Sequence, residues 1–152
     1  MRIGWIQRAW GAEVLQPAVG WKIWRVDEGR LRSVLYGDLW PIDEPVHAQC
    51  KRPSRAPHEA PFRGCECGIH AGRDLTAWDH YLSVDGESRV FGRVLLWGSI
   101  IEGTSGWRAA CARSVEIFVP TAVKDRDEVA DDLLAYGVPV NVLEAVEELV
   151  PA

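Results

Sequence analysis

Between Cys50 and Gly72 the chain reads CKRPSRAPHEAPFRGCECGIHAG, which holds three of the four cysteines and two of the four histidines. Thiolate and imidazole are the donors that structural zinc takes, four at a time in a tetrahedron, and three Cys with one His is a standard set. The spacing is Cys50-x7-His58-x6-Cys65-x-Cys67. Cys65 and Cys67 can turn to one ion if Glu66 points away and Gly68 lets the backbone fold over the sulfurs. Pro53, Pro57 and Pro61 reduce the freedom the long arm must lose when a metal closes it. The predicted ligands are therefore Cys50, His58, Cys65 and Cys67. His70, which would make a tight C-x-C-x2-H arrangement, and His47 compete for the fourth place. Zinc is the expected cofactor, and an iron–sulfur cluster is the alternative that three Cys and one His could hold.

Other readings of these thiols are weaker. Free cysteine often packs as a small apolar residue, but KRPSR and HEAPFRG are polar and turn-rich, unlike a core segment. A redox pair at Cys65 and Cys67 lacks the usual C-x-x-C spacing. Cys111, in the strand-like WRAACA, reads as a packed thiol that could replace a histidine if the sheet folds back. Glu59 and Glu66 flank the ligands and could act as a base, yet a centre filled by three thiolates and an imidazole leaves no open position for water. No G-x-S-x-G, P-loop or dinucleotide fingerprint is present. The chain is thus expected to be a non-catalytic, zinc-stabilised interaction or ligand-binding domain, its partner a protein or a small ligand. Lys51, Arg52, Arg55, Arg63 and Arg73 surround the loop and raise a second expectation, an anion or nucleic-acid platform. Against it, the same cations would neutralise a thiolate-rich centre.

Charge and composition narrow the field further. The net charge is −5, with eleven Lys/Arg against nine Asp/Glu in residues 1–76 and six against thirteen in residues 77–152. An acidic second half does not suit nucleic acid or an anionic membrane. No run approaches the roughly 18 apolar residues of a membrane helix. Gln7, Arg8 and Glu13 interrupt the N-terminal segment, so it does not read as a secretory signal; a reducing, cytoplasmic setting is expected. Eight Trp against three Tyr and three Phe is unusual, and a core role is the simplest use for most of the indoles.

The elements that must position the loop read as α+β: an antiparallel curled sheet or small barrel-like meander with a metal-braced loop and two C-terminal helices. Residues 1–20 read as an irregular lead-in and residues 21–152 as one domain, with the Cys/His loop at 50–72. WKIWRV and LRSVLY flank Asp27-Glu28-Gly29-Arg30 as a hairpin. Pro41 and Pro45 deny GDLWPIDEP a central strand. Asp74 is a plausible N-cap for a short helix over LTAWDHYLS, with Leu75, Trp78 and Leu82 on one face. RVFGRVLLWGSIIEG, WRAACA and VEIFVP predict three strands, with turns at Thr104-Ser105-Gly106 and Arg113-Ser114. Gly92 and Gly98 mark bulges or bends in the first. In the tail, Asp125 or Asp127 would cap one helix that Gly137 ends, and Asn141 with Glu144 would open a second. Its Glu144, Glu147 and Glu148 would repel phosphate, which argues against a helix-turn-helix.

Several pieces together carry a resemblance: Trp40, Cys50, His58-Glu59-Ala60-Pro61, Cys65-Glu66-Cys67-Gly68-Ile69 and Gly92-Arg93-Val94-Leu95-Leu96-Trp97-Gly98. The chain resembles a family of small, uncharacterised bacterial proteins with an H-x-A-P…C-x-C-G-I element and a later G-x-V-x-L-W-G strand. The resemblance runs over roughly residues 20–120. It implies His58 rather than His70 as the fourth ligand, and it implies no activity.

Overall fold

The computed structural model describes residues 13–14, 16–34, 37–52, 56–76, 78 and 88–143. Two long strands dominate it, β6 (Arg89–Glu102) and β7 (Gly106–Pro120), joined by a tight turn in which Gly103 N–H donates to Gly106 O. Their composition explains them, because both are rich in the β-branched and aromatic residues that suit a pleated, largely covered surface. Before them come β1 (Glu13–Val14), β2 (Ala18–Asp27), β3 (Arg30–Ser33), β4 (Val46–His47) and β5 (Ile69–Gly72). Strand residues therefore reach back into the segment read as an irregular lead-in.

The hairpin predicted around Asp27–Arg30 forms between β2 and β3. Its turn needs two residues at positive φ, supplied by Glu28 at 50° and Gly29 at 75°, the signature of the hairpin turn that matches strand twist. The antiparallel pairings β6–β2, β2–β5, β5–β7 and β7–β6 form a closed circuit. Glycine allows the strands to approach: a Cβ on Gly106 would lie 2.1 Å from Ala71 O, and one on Gly92 equally close to Glu116 O. The register of β6 on β7 shifts between Arg93 and Val94 and again between Trp97 and Ile100. These irregularities fall beside Gly92 and across Gly98, as the glycines predict.

Three expectations are corrected. First, Arg113-Ser114 is not a turn. β7 runs straight through it, and the register shift there skips Val115 (Val94 opposes Ser114 and Arg93 opposes Glu116). A bulge absorbs the polar pair that looked like a break. Second, the sheet is mixed rather than wholly antiparallel: β8 (Val140–Leu143) pairs parallel to β7, Ile117–Pro120 opposite Val140–Leu143. Third, Asn141 is therefore a strand residue and not the cap of a second helix. Pro139 favours an extended approach, Val140 and Val142 are strong strand formers, and the exposed edge of β7 supplies the ladder. Residues 144–152, where the rest of that helix was expected, lie outside the described residues.

The one helix of the described tail is α1 (Arg126–Leu133), continued by a 3-10 turn Leu134–Tyr136. Asp125 occupies its N-cap but makes no side-chain capping bond. Gly137, at φ 71°, ends the turn and its N–H donates to Leu134 O. In the stretch predicted as a helix after Asp74, the Asp74 carboxylate accepts from Thr76 N–H at 2.9 Å, and Leu75 and Trp78 are buried. Ala77 and residues 79–87 lie outside the described residues.

Inside the circuit, Trp24, Leu31, Trp40, Val94, Leu96, Ile100, Ile117, Val119 and Leu133 are each no more than 2% exposed. Each aliphatic side chain so buried contributes about 1.5–3 kcal/mol. The indoles belong to this core as their residue type suggests: Trp24 and Trp40 meet edge to face at 5.2 Å. Trp40 Nε1 donates to Ser33 Oγ and Trp78 Nε1 to Trp21 O, each at 2.9 Å. Tyr136 pins the tail to the body, its hydroxyl donating to Trp40 O at 2.8 Å and accepting from Leu31 N–H at 2.9 Å. No described helix is long and apolar enough to cross a membrane.

Candidate metal centre

The Cys/His loop connects β4 to β5, and its described residues form no helix or strand. It nevertheless brings together the four residues that their types select. One donor atom each from Cys50, His58, Cys65 and Cys67 lies within 4.8 Å of every other. Cys50 Sγ is 3.7 Å from Cys65 Sγ, and Cys67 Sγ is 3.4 Å from His58 Nε2. A tetrahedral zinc, with bonds of about 2.3 Å to sulfur and about 2.0 Å to nitrogen, separates neighbouring sulfurs by about 3.8 Å and sulfur from nitrogen by about 3.5 Å. The donor set is close enough to bind a metal ion and compatible with zinc.

Local interactions set each donor. The His58 Nδ1–H donates to Ala56 O at 2.9 Å, since a carbonyl can only accept. That fixes the tautomer and leaves the Nε2 lone pair facing Cys67, the arrangement by which ligating imidazoles are oriented. The Phe62 ring stacks on the imidazole at 4.5 Å. Cys65 N–H donates to Phe62 O at 3.0 Å, closing the turn that carries the C-x-C pair. Gly68 follows with φ 119°, a conformation L side chains rarely adopt, and a Cβ there would meet Pro61 Cβ at 3.1 Å and Arg108 Cβ at 3.2 Å. Glycine is required.

Arg108 is the residue that reading the sequence missed. It sits on β7, 0% exposed, and its Nη1 donates to both Phe62 O and Cys67 O at 2.9 Å. A buried guanidinium is costly unless compensated. Burial pulls its pKa down, while the charges of Cys67, Cys65 and Glu66 hold it up. Three thiolates and a divalent ion carry one net negative charge, which this arginine would balance. The only sign in the sequence is an arginine inside the otherwise small and apolar WRAACA run.

The thiols do not ionise alike. Burial opposes ionisation of Cys65, but the Cys67 backbone N–H and hydrogen bonds with Cys50, Cys67 and His58 outweigh it and bring the thiol down to about 7. Cys67 is pushed up to about 11 by burial, reinforced by the charges of Cys65 and Cys50. Thiolates this close repel one another, and a cation between them removes the conflict.

The competing residues lie elsewhere. His70 is buried on β5, 4% exposed, and burial, with Lys22 and Arg108 nearby, lowers its pKa to about 3. It is a neutral core histidine outside the four-donor group. His47 on β4 faces Cys111 on β7, Nδ1 to Sγ 3.5 Å, and neither belongs to the group. Of the five basic residues around the loop, Lys51 pairs with Asp38 at 3.3 Å, Arg52 with Glu66 at 3.0 Å and Arg73 with Glu102 at 3.1 Å. Arg63 is exposed, and Arg55 lies outside the described residues. Glu66 is thus held by Arg52, and Glu59 is exposed. No protein-family model, curated protein or solved structure matches the chain.

Proposed function

We propose that the chain is a non-catalytic binding domain whose Cys/His loop is closed by one structural zinc ion. The observation that carries this reading is the approach of four donor atoms, three sulfurs and one imidazole nitrogen, to within 4.8 Å of one another. A complete tetrahedral set leaves no position for a reactive water, which separates structural from catalytic zinc. The spacing also favours a single ion, because a cluster would place bridging sulfides and a second iron between the donors. The neighbouring cations do not favour a nucleic-acid platform, because three of the five are engaged by carboxylates.

Elemental analysis with a visible spectrum, on protein purified without a metal-affinity tag, tests the reading. About one equivalent of zinc and no colour is expected. Iron with a brown colour, or no metal at all, would overturn it.

A further inference from the structure

Behind the metal loop lies a pocket of about 300 Å³, whose walls include Cys67 and Gly68 from the loop and Trp40, Trp78 and Leu39 from the surrounding body. Lys22 reaches it from β2. The lysine is 5% exposed, donates one hydrogen bond, to His70 O at 2.8 Å, and lies 5.7 Å from the Trp40 ring and 5.5 Å from the Trp78 ring. Among the described residues no carboxylate lies within ion-pair distance of it. The nearby Asp38 is engaged by Lys51 at 3.3 Å. An ammonium has three donors, and buried charges are normally paired. Among the described residues, two indole faces and one carbonyl are its immediate neighbours, and no carboxylate is paired with it in this pocket of ligand size.

We propose that this pocket binds a small organic monocarboxylate, its carboxylate on the Lys22 ammonium and its apolar part against the Leu39 and Trp40 side. A single anionic charge fits better than a dianionic phosphate, because the other cations of the lining, Lys51 and Arg52, are engaged by Asp38 and Glu66, and Glu44 on the same lining would repel a second charge. The inference deepens the binding-domain reading and rests on it, because the zinc-closed loop supplies one wall. The groups acting on the amine are Asp38, on the connection after β3, and His70 on β5, with Arg108 of β7 acting on that histidine; Glu44, His47, Lys51, Arg52 and Cys67 complete the charged and titratable lining. Burial lowers the Lys22 pKa to about 8, with Asp38 pulling the other way. His70 stays neutral throughout, so carboxylate binding should weaken as pH rises through about 8.

The test titrates the metal-loaded chain with a series from acetate to phenylacetate, alongside phenylacetamide and inorganic phosphate, reading tryptophan emission and heat. Metal content is measured on the same sample. The expected result is saturable binding of a monocarboxylate, weaker by about ten-fold or more in Lys22→Met and for the uncharged amide. A second readout needs no variant: a bound carboxylate should slow acylation of Lys22, mapped by mass spectrometry. Binding by none of the acids, equal binding of phenylacetamide, or unchanged binding by Lys22→Met would each overturn the proposal. Zinc present without carboxylate binding refutes the pocket alone. Carboxylate binding without zinc would instead refute the metal reading and leave the pocket standing.

Discussion

The β6–β7 hairpin and the Cys50–Gly68 loop are held in opposite ways. The hairpin closes because Val94, Leu96, Ile100, Ile117 and Val119 leave water almost completely, and its polar backbone is satisfied strand to strand. The loop has no comparable apolar content. Apart from Ala60, Cys65 and Cys67, with Ala48 and Cys50 packed against them, it is polar and turn-rich. On the proposed reading, what gathers it is one ion shared by four donors, with Arg108 donating to two of its carbonyls. A fold can spread its stability over an area or concentrate it on a few atoms. Concentration makes each of those atoms decisive.

The loop also leads directly into β5, which closes the circuit between β2 and β7, so its failure should not stay local. Cys65→Ser or Cys67→Ser should give an unfolded or aggregating chain, seen as loss of a cooperative melt and of bound zinc. Structural zinc contributes about 10–16 kcal/mol in small domains, against a whole-domain stability of about 5–15 kcal/mol. A well-folded Cys67→Ser protein would break the contrast. Leu96→Ala in the hairpin should cost about 2–5 kcal/mol in denaturant unfolding while the purified protein keeps its full metal content.

Arg108→Met tests the link between the two regions. Losing each charge-assisted bond to Phe62 O and Cys67 O should cost about 1.5–3 kcal/mol, and zinc should exchange faster to a chelator. Stability lost with unchanged exchange would make Arg108 a hairpin residue only. Cys111→Ser, next to His47 but outside the donor group, should stay within about 0.5 kcal/mol of the parent.

Lys22 sharpens the comparison through pH. Its folded pKa of about 8 lies below the ordinary 10.5, so between those values the unfolded chain keeps a proton the folded chain has released. Stability from this group therefore rises with pH across that window. Any thermal advantage of Lys22→Met should shrink from pH about 8 to about 10.5. A constant difference in melting temperature would show that the amine is not desolvated.

The donor set was the most legible part of the molecule, because Cys50, His58, Cys65 and Cys67 are near in sequence and their chemistry is explicit in their types. Choosing His58 over His70 rested on its place inside the loop beside Pro57, a choice the resemblance also implies. His70 has the tighter spacing, but it points into the core because β5 pairs with β7, a contact no local pattern records. Arg108 and Lys22 were invisible for the same reason: both look like ordinary strand cations until the circuit closes around them. The tail misled because a capping pattern at Asn141 and β-branched residues on either side of it compete over one segment. Pairing with Ile117–Pro120 decided between them, across more than a helix of intervening chain.

The circuit itself has an uneven circumference. β6 meets β2 and β7 over long ladders, whereas β2 meets β5 through one registered pair, Trp21 opposite Gly72. That join is kept narrow by Gly20, where a Cβ would stand 2.7 Å from Ala71 Cβ, and is braced by the Trp78 indole on Trp21 O. A closed wall breathes where the fewest bonds must part. Deuterium should therefore enter the sheet at Gly72 and its neighbours long before it reaches the middle of β6.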